Sequence, residues 1–207
     1  FTALERAKEQ GIGHYFVPRY TRVVDTVESK DNINKAYNLI STSKVRNEMI
    51  IDDVITCVAR KQTPVILTRF KEHAKFLHDA LKEKADHVFL LYGDNSDKEN
   101  AEIRVKLKQI PENESLILVA TGQKIGEGFD FPRLDVLMLA APVSFEGRLE
   151  QYVGRLNRDY VGKEAVYVYD YIDSHVRYFD KMYAKRLRTY RKMGFSIWTQ
   201  EYGIDRK

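Results

Sequence analysis

The chain has 207 residues, 43% hydrophobic and 31% charged, with a formal net charge of +4. That length and balance suit one folded domain with a continuous core and exclude a disordered chain. The longest apolar runs, such as Val136 to Pro142, are far too short to cross a bilayer, no signal peptide is visible, and the single Cys57 fits a reducing compartment, so the expectation is a cytoplasmic protein that engages no membrane.

Residues 1–30 read as a connector, and the start at Phe1 rather than Met reads as that of an excised piece. Tyr15 to Val24 is extended in character, because Pro18 discourages helix and β-branched residues follow it. Glu28 to Asn32 then looks like a turn. Residues 31–207 read as the domain proper. Ser43 can cap a helix that aligns Ile50, Val54 and Cys57, and Pro64 ends it before the apolar strand Val65 to Leu67. Phe70, Ala74, Leu77 and Leu81 recur at helical spacing, and His87 to Leu91 is the next strand. Ser96 and Glu99 form a capping box ahead of Ile103, Leu107 and Ile110. Leu116 to Ala120, Val136 to Leu139 and Ala165 to Tyr169 are three further strands. All five are continuous apolar runs, which indicates burial on both faces in a parallel sheet. Such a sheet binds ligands beyond the carboxyl ends of its strands, so the loops after Leu67, Leu91, Ala120, Ala140 and Tyr169 are the places to look.

The segment Phe145 to Arg158 reads as a helix capped by Ser144, with Phe145, Leu149 and Tyr152 as its apolar anchor. Gln151, Arg155 and Arg158 fall at i, i+4 and i+7 and share another face. Gly154 costs about 1 kcal/mol relative to Ala inside a helix, which suggests that something approaches the backbone closely there. Two guanidiniums and an amide on one face can grip a polyphosphate, and spacing alone equally allows a solvated charged face. Upstream, Thr121, Gly122, Gly126, Gly128 and Asp130 make a strand-end loop whose amides can hold a phosphate, although most glycine-rich turns only turn. Thr68 and Arg69 are read as the start of a helix, where amides and positive charge attract phosphate. At the turn after the next strand, Gly93 is read first as structural and second as a backbone contact. Toward the C-terminus, Val176, Phe179, Tyr183, Leu187 and Tyr190 form an apolar stripe beside a basic one of Arg177, Lys181, Lys185, Arg188 and Lys192, with Gly194 as C-cap. That helix reads first as a docked surface helix with a solvated face, and second as an electrostatic contact for a phosphate backbone.

Gln151-x-x-Gly154-Arg155-x-x-Arg158 resembles motif VI of superfamily 2 helicases of the DEAD/DEAH type. The Thr121 to Asp130 loop resembles motif V, in the wording of repair and restriction translocases, and Val65 to Phe70 resembles motif IV. The loop is one residue longer between Thr121 and Asp130 than the common DEAD-box form, which leaves the contacts of Gly126 and Glu127 open. The resemblance covers about residues 60–173, with the motifs in order. It implies an α/β fold, a RecA-like (P-loop NTPase-type) parallel sheet with helices on both faces, serving as the C-terminal half of an ATP-dependent helicase or translocase. Carried over, Arg158 is the arginine finger with Arg155 and Gln151 beside it. Gly128 and Asp130 lie at the ATP, and Thr68, Arg69, Thr121 and Gly122 hold nucleic acid.

No Gly-x-x-x-x-Gly-Lys-Ser/Thr box and no Asp-Glu-x-His/Asp box occurs in the chain, and Asp170, at the end of its strand, reads as structural. The five histidines show no metal spacing. ATP and Mg²⁺ are therefore expected to be held mainly by an N-terminal RecA-like domain of the same polypeptide, leaving this fragment monomeric, inactive alone and without a metal site of its own. The implied partner is DNA, with RNA as the alternative. A non-catalytic nucleic-acid-binding module of the same shape is the rival reading, which the intact Gln151, Arg155 and Arg158 argue against. An unrelated nucleotide-binding α/β enzyme has no phosphate loop to support it.

Overall fold

The computed structural model describes residues 11–122, 130–143, 146–158, 160–199 and 203–205. They form strands β1 (Gly13–Tyr20), β2 (Pro64–Thr68), β3 (His87–Leu91), β4 (Leu116–Thr121), β5 (Val136–Leu139), β6 (Ala165–Ile172), β7 (Ser196–Thr199) and β8 (Gly203–Asp205). The helices are α1 (Ile33–Ser41), α2 (Lys44–Ala59), α3 (Lys71–Leu81), α4 (Asp97–Gln109), α5 (Glu146–Leu156) and α6 (Arg177–Lys192). One sheet runs β3-β4-β2-β5-β6-β1-β7-β8, parallel throughout except for β8 at the edge.

Because side chains alternate along a strand, the sheet divides its apolar residues between two cores. Val65, Leu67, Leu118, Leu137, Leu139 and Val168 face one way and meet Leu149, Val153 and Leu156 of α5 and Tyr190 of α6. Ile66, Ile117, Val119, Val136, Met138 and Tyr169 face the other and meet Ile50, Val54 and Cys57 of α2 and Leu77 and Leu81 of α3. Each fully buried Leu or Ile of this kind contributes about 1.5–3 kcal/mol. The five strands expected from the apolar runs are all present, and the two-faced core is the α/β RecA-like arrangement the motifs implied.

Local signals act as their chemistry requires. The Ser43 side chain accepts from the Arg46 amide at the head of α2, and Ser96 and Glu99 close the capping box of α4. Gly194, at φ +74, follows α6, with the Phe195 amide returned to the Tyr190 carbonyl at 2.9 Å. Two expectations change. Residues 13–20, read as part of the connector, are a full strand paired with β6 along its length, so they belong to the sheet. Their Pro18 lies beyond Tyr15 and Phe16, where β7 pairs, so its missing donor interrupts no bond on that side. Thr68 and Arg69 do not begin a helix: Thr68 ends β2, and α3 starts at Lys71 with Phe70 as its cap position. Among the described residues no helix is long and apolar enough to cross a membrane.

Candidate nucleic-acid and nucleotide site

A cleft of about 940 Å³ opens where β2, β4 and β5 end. Leu67, Thr68, Thr121 and Gly122 form its floor, together with Ala141 to Val143 of the β5 exit loop. Tyr37 and Ile33 of α1, Arg69 and Lys71 at the head of α3, Met182 of α6, and Arg148, Gln151 and Tyr152 of α5 form its walls. Gly93, at the exit of β3, lies on the rim. Four strand-end segments read from the sequence are therefore gathered at one place.

Thr68 is 4% exposed, and its hydroxyl meets Nδ1 of His73. The other ring nitrogen of His73 lies 2.8 Å from the Asn47 amide oxygen, which can only accept. Nε2 is thus the donor, Nδ1 the acceptor, and the Thr68 hydroxyl donates inward. Burial, with the Arg46 charge nearby, pushes His73 down to about 3, so the ring stays neutral. What Thr68 offers the cleft is its position at the strand end and the remaining lone pairs of its hydroxyl.

Arg69 is exposed and lies over the ring of Tyr37, its guanidinium carbon 4.5 Å from the ring centre. Such stacking contributes about 0.5–1 kcal/mol at an open site and holds the plane of the fork. The Tyr37 hydroxyl donates to the Pro142 carbonyl at 3.3 Å, tying α1 to the β5 exit loop. Lys71 pairs with Asp94 at 2.7 Å, both about half exposed, so that pair adds little.

Gly122 meets α5 directly. A Cβ there would lie 2.5 Å from the Tyr152 hydroxyl, so the end of β4 and α5 touch at a point where any larger residue must move the Tyr152 side chain. Gly93 has no such constraint, since a Cβ would come no nearer than 3.7 Å to Lys71. No close side-chain approach therefore requires glycine at position 93, which lines the cleft at the exit of β3. At Gly154 a Cβ would meet nothing within 4 Å among the described residues, so the close approach expected there does not come from them.

The shared face of Gln151, Arg155 and Arg158 is not observed as a helical face. Helix α5 ends at Leu156, and Arg158 lies past it. Lys163, which follows Gly162 at φ +83, places its ammonium on the carbonyls of Pro132, Leu156 and Arg158, capping the helix end with charge. Asn157 turns aside to accept from the His14 ring of β1 at 2.9 Å. Gln151 consequently lines the cleft while Arg155 and Arg158 do not. Arg158 instead lies 3.5 Å from Asp130, both about half exposed, which joins the far end of the motif V segment to the end of motif VI. Gly126, Glu127 and Gly128, with the expected cap Ser144 and anchor Phe145, lie outside the described residues.

Sequence reasoning missed several residues. Arg148 is one helical turn before Gln151, and running the same arithmetic upstream would have found it. Tyr37, on a helix that was not anticipated, had no local signal. Nor did two buried arginines behind the β5 exit loop. Arg46 holds both oxygens of Asp173, at 3.0 and 3.1 Å, and donates to the Ala140 carbonyl at 2.6 Å. Arg186 holds both oxygens of Asp170, at 2.7 and 2.8 Å, and donates to the Val143 carbonyl at 3.0 Å. Asp170 also accepts from Tyr190 at 2.7 Å, which gives it a structural position.

No protein-family model matches the chain. It is 28% identical over 172 residues to transcript termination protein A18 of Yaba-like disease virus, covering 78% of this chain and 35% of that protein. The fowlpox virus counterpart is 27% identical over 135 residues, 64% of this chain and 28% of its own. A candidate helicase, 161L of invertebrate iridescent virus 6, is 33% identical over 118 residues, 56% of this chain and 22% of its own. The chain thus spans about a third or less of the length of these relatives. Among solved structures, T4 UvsW superposes with a TM-score of 0.70 at 21% identity, over 89% of this chain and 40% of that one. Domain 2 of the DEAD-box helicase Mss116p, bound to an RNA duplex, gives 0.52 at 18% identity, over 81% and 59%. In fold the chain is an α/β RecA-like domain, similar to those of T4 UvsW and of the DEAD-box helicase Mss116p.

Proposed function

We propose that this domain is half of an ATP-dependent nucleic-acid helicase or translocase, gripping nucleic acid in the strand-end cleft and supplying arginines to ATP from the end of α5. The observation that carries the reading is the contact of motifs V and VI at both ends: Gly122 against Tyr152, and Asp130 against Arg158. A ligand that shifts the loop at one end bears on the helix that presents the arginines at the other.

The residues suit a polyphosphate. Arg158 is 55% exposed, and its partner Asp130, 51% exposed, is an anion that a phosphate can replace at little cost. ATP, when bound, supplies the phosphoanhydride whose hydrolysis drives movement. Arg158 orients its fork on the transferred phosphoryl group and stabilises the charge that develops there, with Arg155 before it in α5, while Gln151, which lines the strand-end cleft, lies on the nucleic-acid side. Lys163 fixes the carbonyl of Arg158 and so the point from which the side chain extends. Among the described residues no three His, Cys, Asp or Glu side chains stand together as a metal site. Mg²⁺ and the phosphate loop belong, on this reading, to an N-terminal RecA-like domain of a longer polypeptide. Thr121, Gly122, Thr68 and Arg69 hold the nucleic-acid backbone, with DNA the favoured partner over RNA.

In the full-length protein, Arg158→Ala is expected to lower the ATPase kcat by about 10³-fold or more while nucleic-acid affinity is retained. Unchanged turnover overturns the assignment. The isolated domain is expected to hydrolyse no ATP, and DNA-stimulated turnover by it would remove the two-half reading.

A further inference from the structure

We propose that Arg148 is a nucleic-acid contact, the cation on the α5 side of the strand-end cleft that works opposite Arg69. The inference rests on the helicase reading and adds to it a residue outside the expected motif VI set.

The first observation is the charge of the cleft. Its described lining carries three cations, Arg69, Lys71 and Arg148, and no Asp or Glu. The Arg186 charge behind the floor is matched by Asp170. A concave surface with cations on its walls and no carboxylate among its described lining selects an anion, and walls of low polarisability sharpen the field. The second observation is the placing of the two arginines. Arg69 lies on Tyr37 at the head of α3, and Arg148 is exposed in the first turns of α5. Thr121 and Gly122 line the same cleft. Burial raises the Tyr37 hydroxyl pKa, and Arg69 and Arg148 are both among the charges that oppose it, so the two guanidiniums act on one group from their separate walls. Burial likewise raises Tyr152 against the charge of Arg148. The third observation is that α5 divides its cations. Arg155 and Arg158 do not line the cleft, whereas Arg148 and Gln151 do. One helix then meets both ligands, nucleic acid with its first turns and ATP with its end, and Tyr152 abuts Gly122 between them.

A phosphodiester strand is the anion that fits, because guanidinium forks from two elements and strand-end amides lining one cleft match successive phosphate groups. The test is fluorescence-anisotropy binding of labelled oligothymidylate and oligouridylate to the 207-residue chain across a salt series. Arg148→Gln is expected to weaken binding about three- to tenfold at low salt and to reduce the slope of log affinity against log salt by about 0.7, the value for one lost phosphate contact on a single strand. Arg148→Lys, which keeps the charge, should recover the slope. A stronger effect on one probe than the other identifies the sugar chemistry served and supports the proposal in either case. An unchanged slope in Arg148→Gln, with parent binding intact, overturns the role of Arg148 and leaves the helicase reading standing. If the parent chain binds neither probe while the full-length protein hydrolyses ATP, the cleft itself is misassigned and the proposal falls with it.

Discussion

Two sets of arginines stand on either side of the β5 exit loop. Behind it, Arg46 and Arg186 are at most 2% exposed, each forked onto a buried carboxylate and each donating once more to a carbonyl of that loop. In front of it, Arg69 rests on one aromatic face, Arg148 stands on the cleft wall, and Arg158 faces one half-exposed carboxylate at 3.5 Å. The inner pair fixes where the chain leaves β5 and turns toward α5; Arg148 and Arg158 follow from that loop and helix, and Arg69 from the end of β2. Burial on a forked carboxylate, rather than residue type, separates the two arginines that hold the β5 exit loop from the three exposed ones.

The sharpest way to break that division is to remove an inner arginine. Arg46→Ala leaves the fully buried Asp173 carboxylate without its guanidinium, keeping the hydrogen bond from the Thr21 hydroxyl. Truncating one partner of a buried pair costs about 3–5 kcal/mol, readable as a fall in the urea midpoint at unchanged slope. Replacing both partners, Arg46→Met with Asp173→Leu, should recover much of that loss, because the desolvated charge goes with them. A cost below about 1 kcal/mol for Arg46→Ala would place Arg46 with the outer set.

His73 probes the same interior at a residue that touches the motif IV threonine. Its folded-state pKa is lowered to about 3, from an ordinary value of 6.5. Between those values the unfolded chain takes up a proton that the folded chain refuses. Stability is therefore fully present above about pH 6.5 and lost as pH falls through the window, at up to about 1.4 kcal/mol per pH unit. Asp135 acts in the opposite direction: burial raises it to about 6, so between its ordinary 3.8 and that value the folded state holds the extra proton. The clean measurement is the difference between parent and His73→Gln in denaturant unfolding from pH 7 to 4. The variant should be less stable at pH 7 and lose less on acidification, by about 3 kcal/mol over the range. Parallel curves would mean that His73 is charged when folded and that the Thr68 hydroxyl is free to face outward.

The divide also explains what the sequence could carry. Val65 to Leu67, Leu116 to Ala120 and Val136 to Leu139 are buried on both faces, so their composition alone declared a parallel sheet and the strand ends where a site would lie. The strand at residues 13–20 was masked by Pro18 and by polar His14 and Arg19, whose partners, Asn157 and Asp53, are far away in the chain. The cleft was legible through short motifs because glycine, threonine and arginine at strand ends carry local meaning. Arg46 and Arg186 were not, since a buried arginine is recognised only through an aspartate, 127 residues away for Arg46. The helical arithmetic at Arg158 failed for a related reason: nothing in that segment announces that Lys163 will draw its carbonyls out of the helix.

Gly122 offers an intermediate effect and a direct test of the contact between the two motifs. Gly122→Ala places a methyl group 2.5 Å from the Tyr152 hydroxyl, and overpacking of that kind costs about 1–3 kcal/mol. Tyr152→Phe removes the hydroxyl and leaves the ring carbon at 3.4 Å, a contact that small shifts relieve. The double variant should therefore be more stable than Gly122→Ala alone, with a coupling of about 0.5–3 kcal/mol. Strict additivity would show that loop and helix do not touch in solution.

The smallest expected effect decides how the largest functional one is read. Arg158→Ala removes a half-exposed side chain whose ion pair with Asp130 is long, so the unfolding free energy of the domain should change by no more than about 0.5 kcal/mol. If the same substitution abolishes turnover in the full-length protein, the loss belongs to the chemistry and not to the scaffold. A stability loss above about 1.5 kcal/mol would reverse that inference, because it would show Arg158 holding the Asp130 segment in place as Arg46 holds the β5 exit loop. The stability measurement on the isolated domain should accordingly come first: it determines whether an inactive full-length variant reports a missing arginine finger or a displaced motif V.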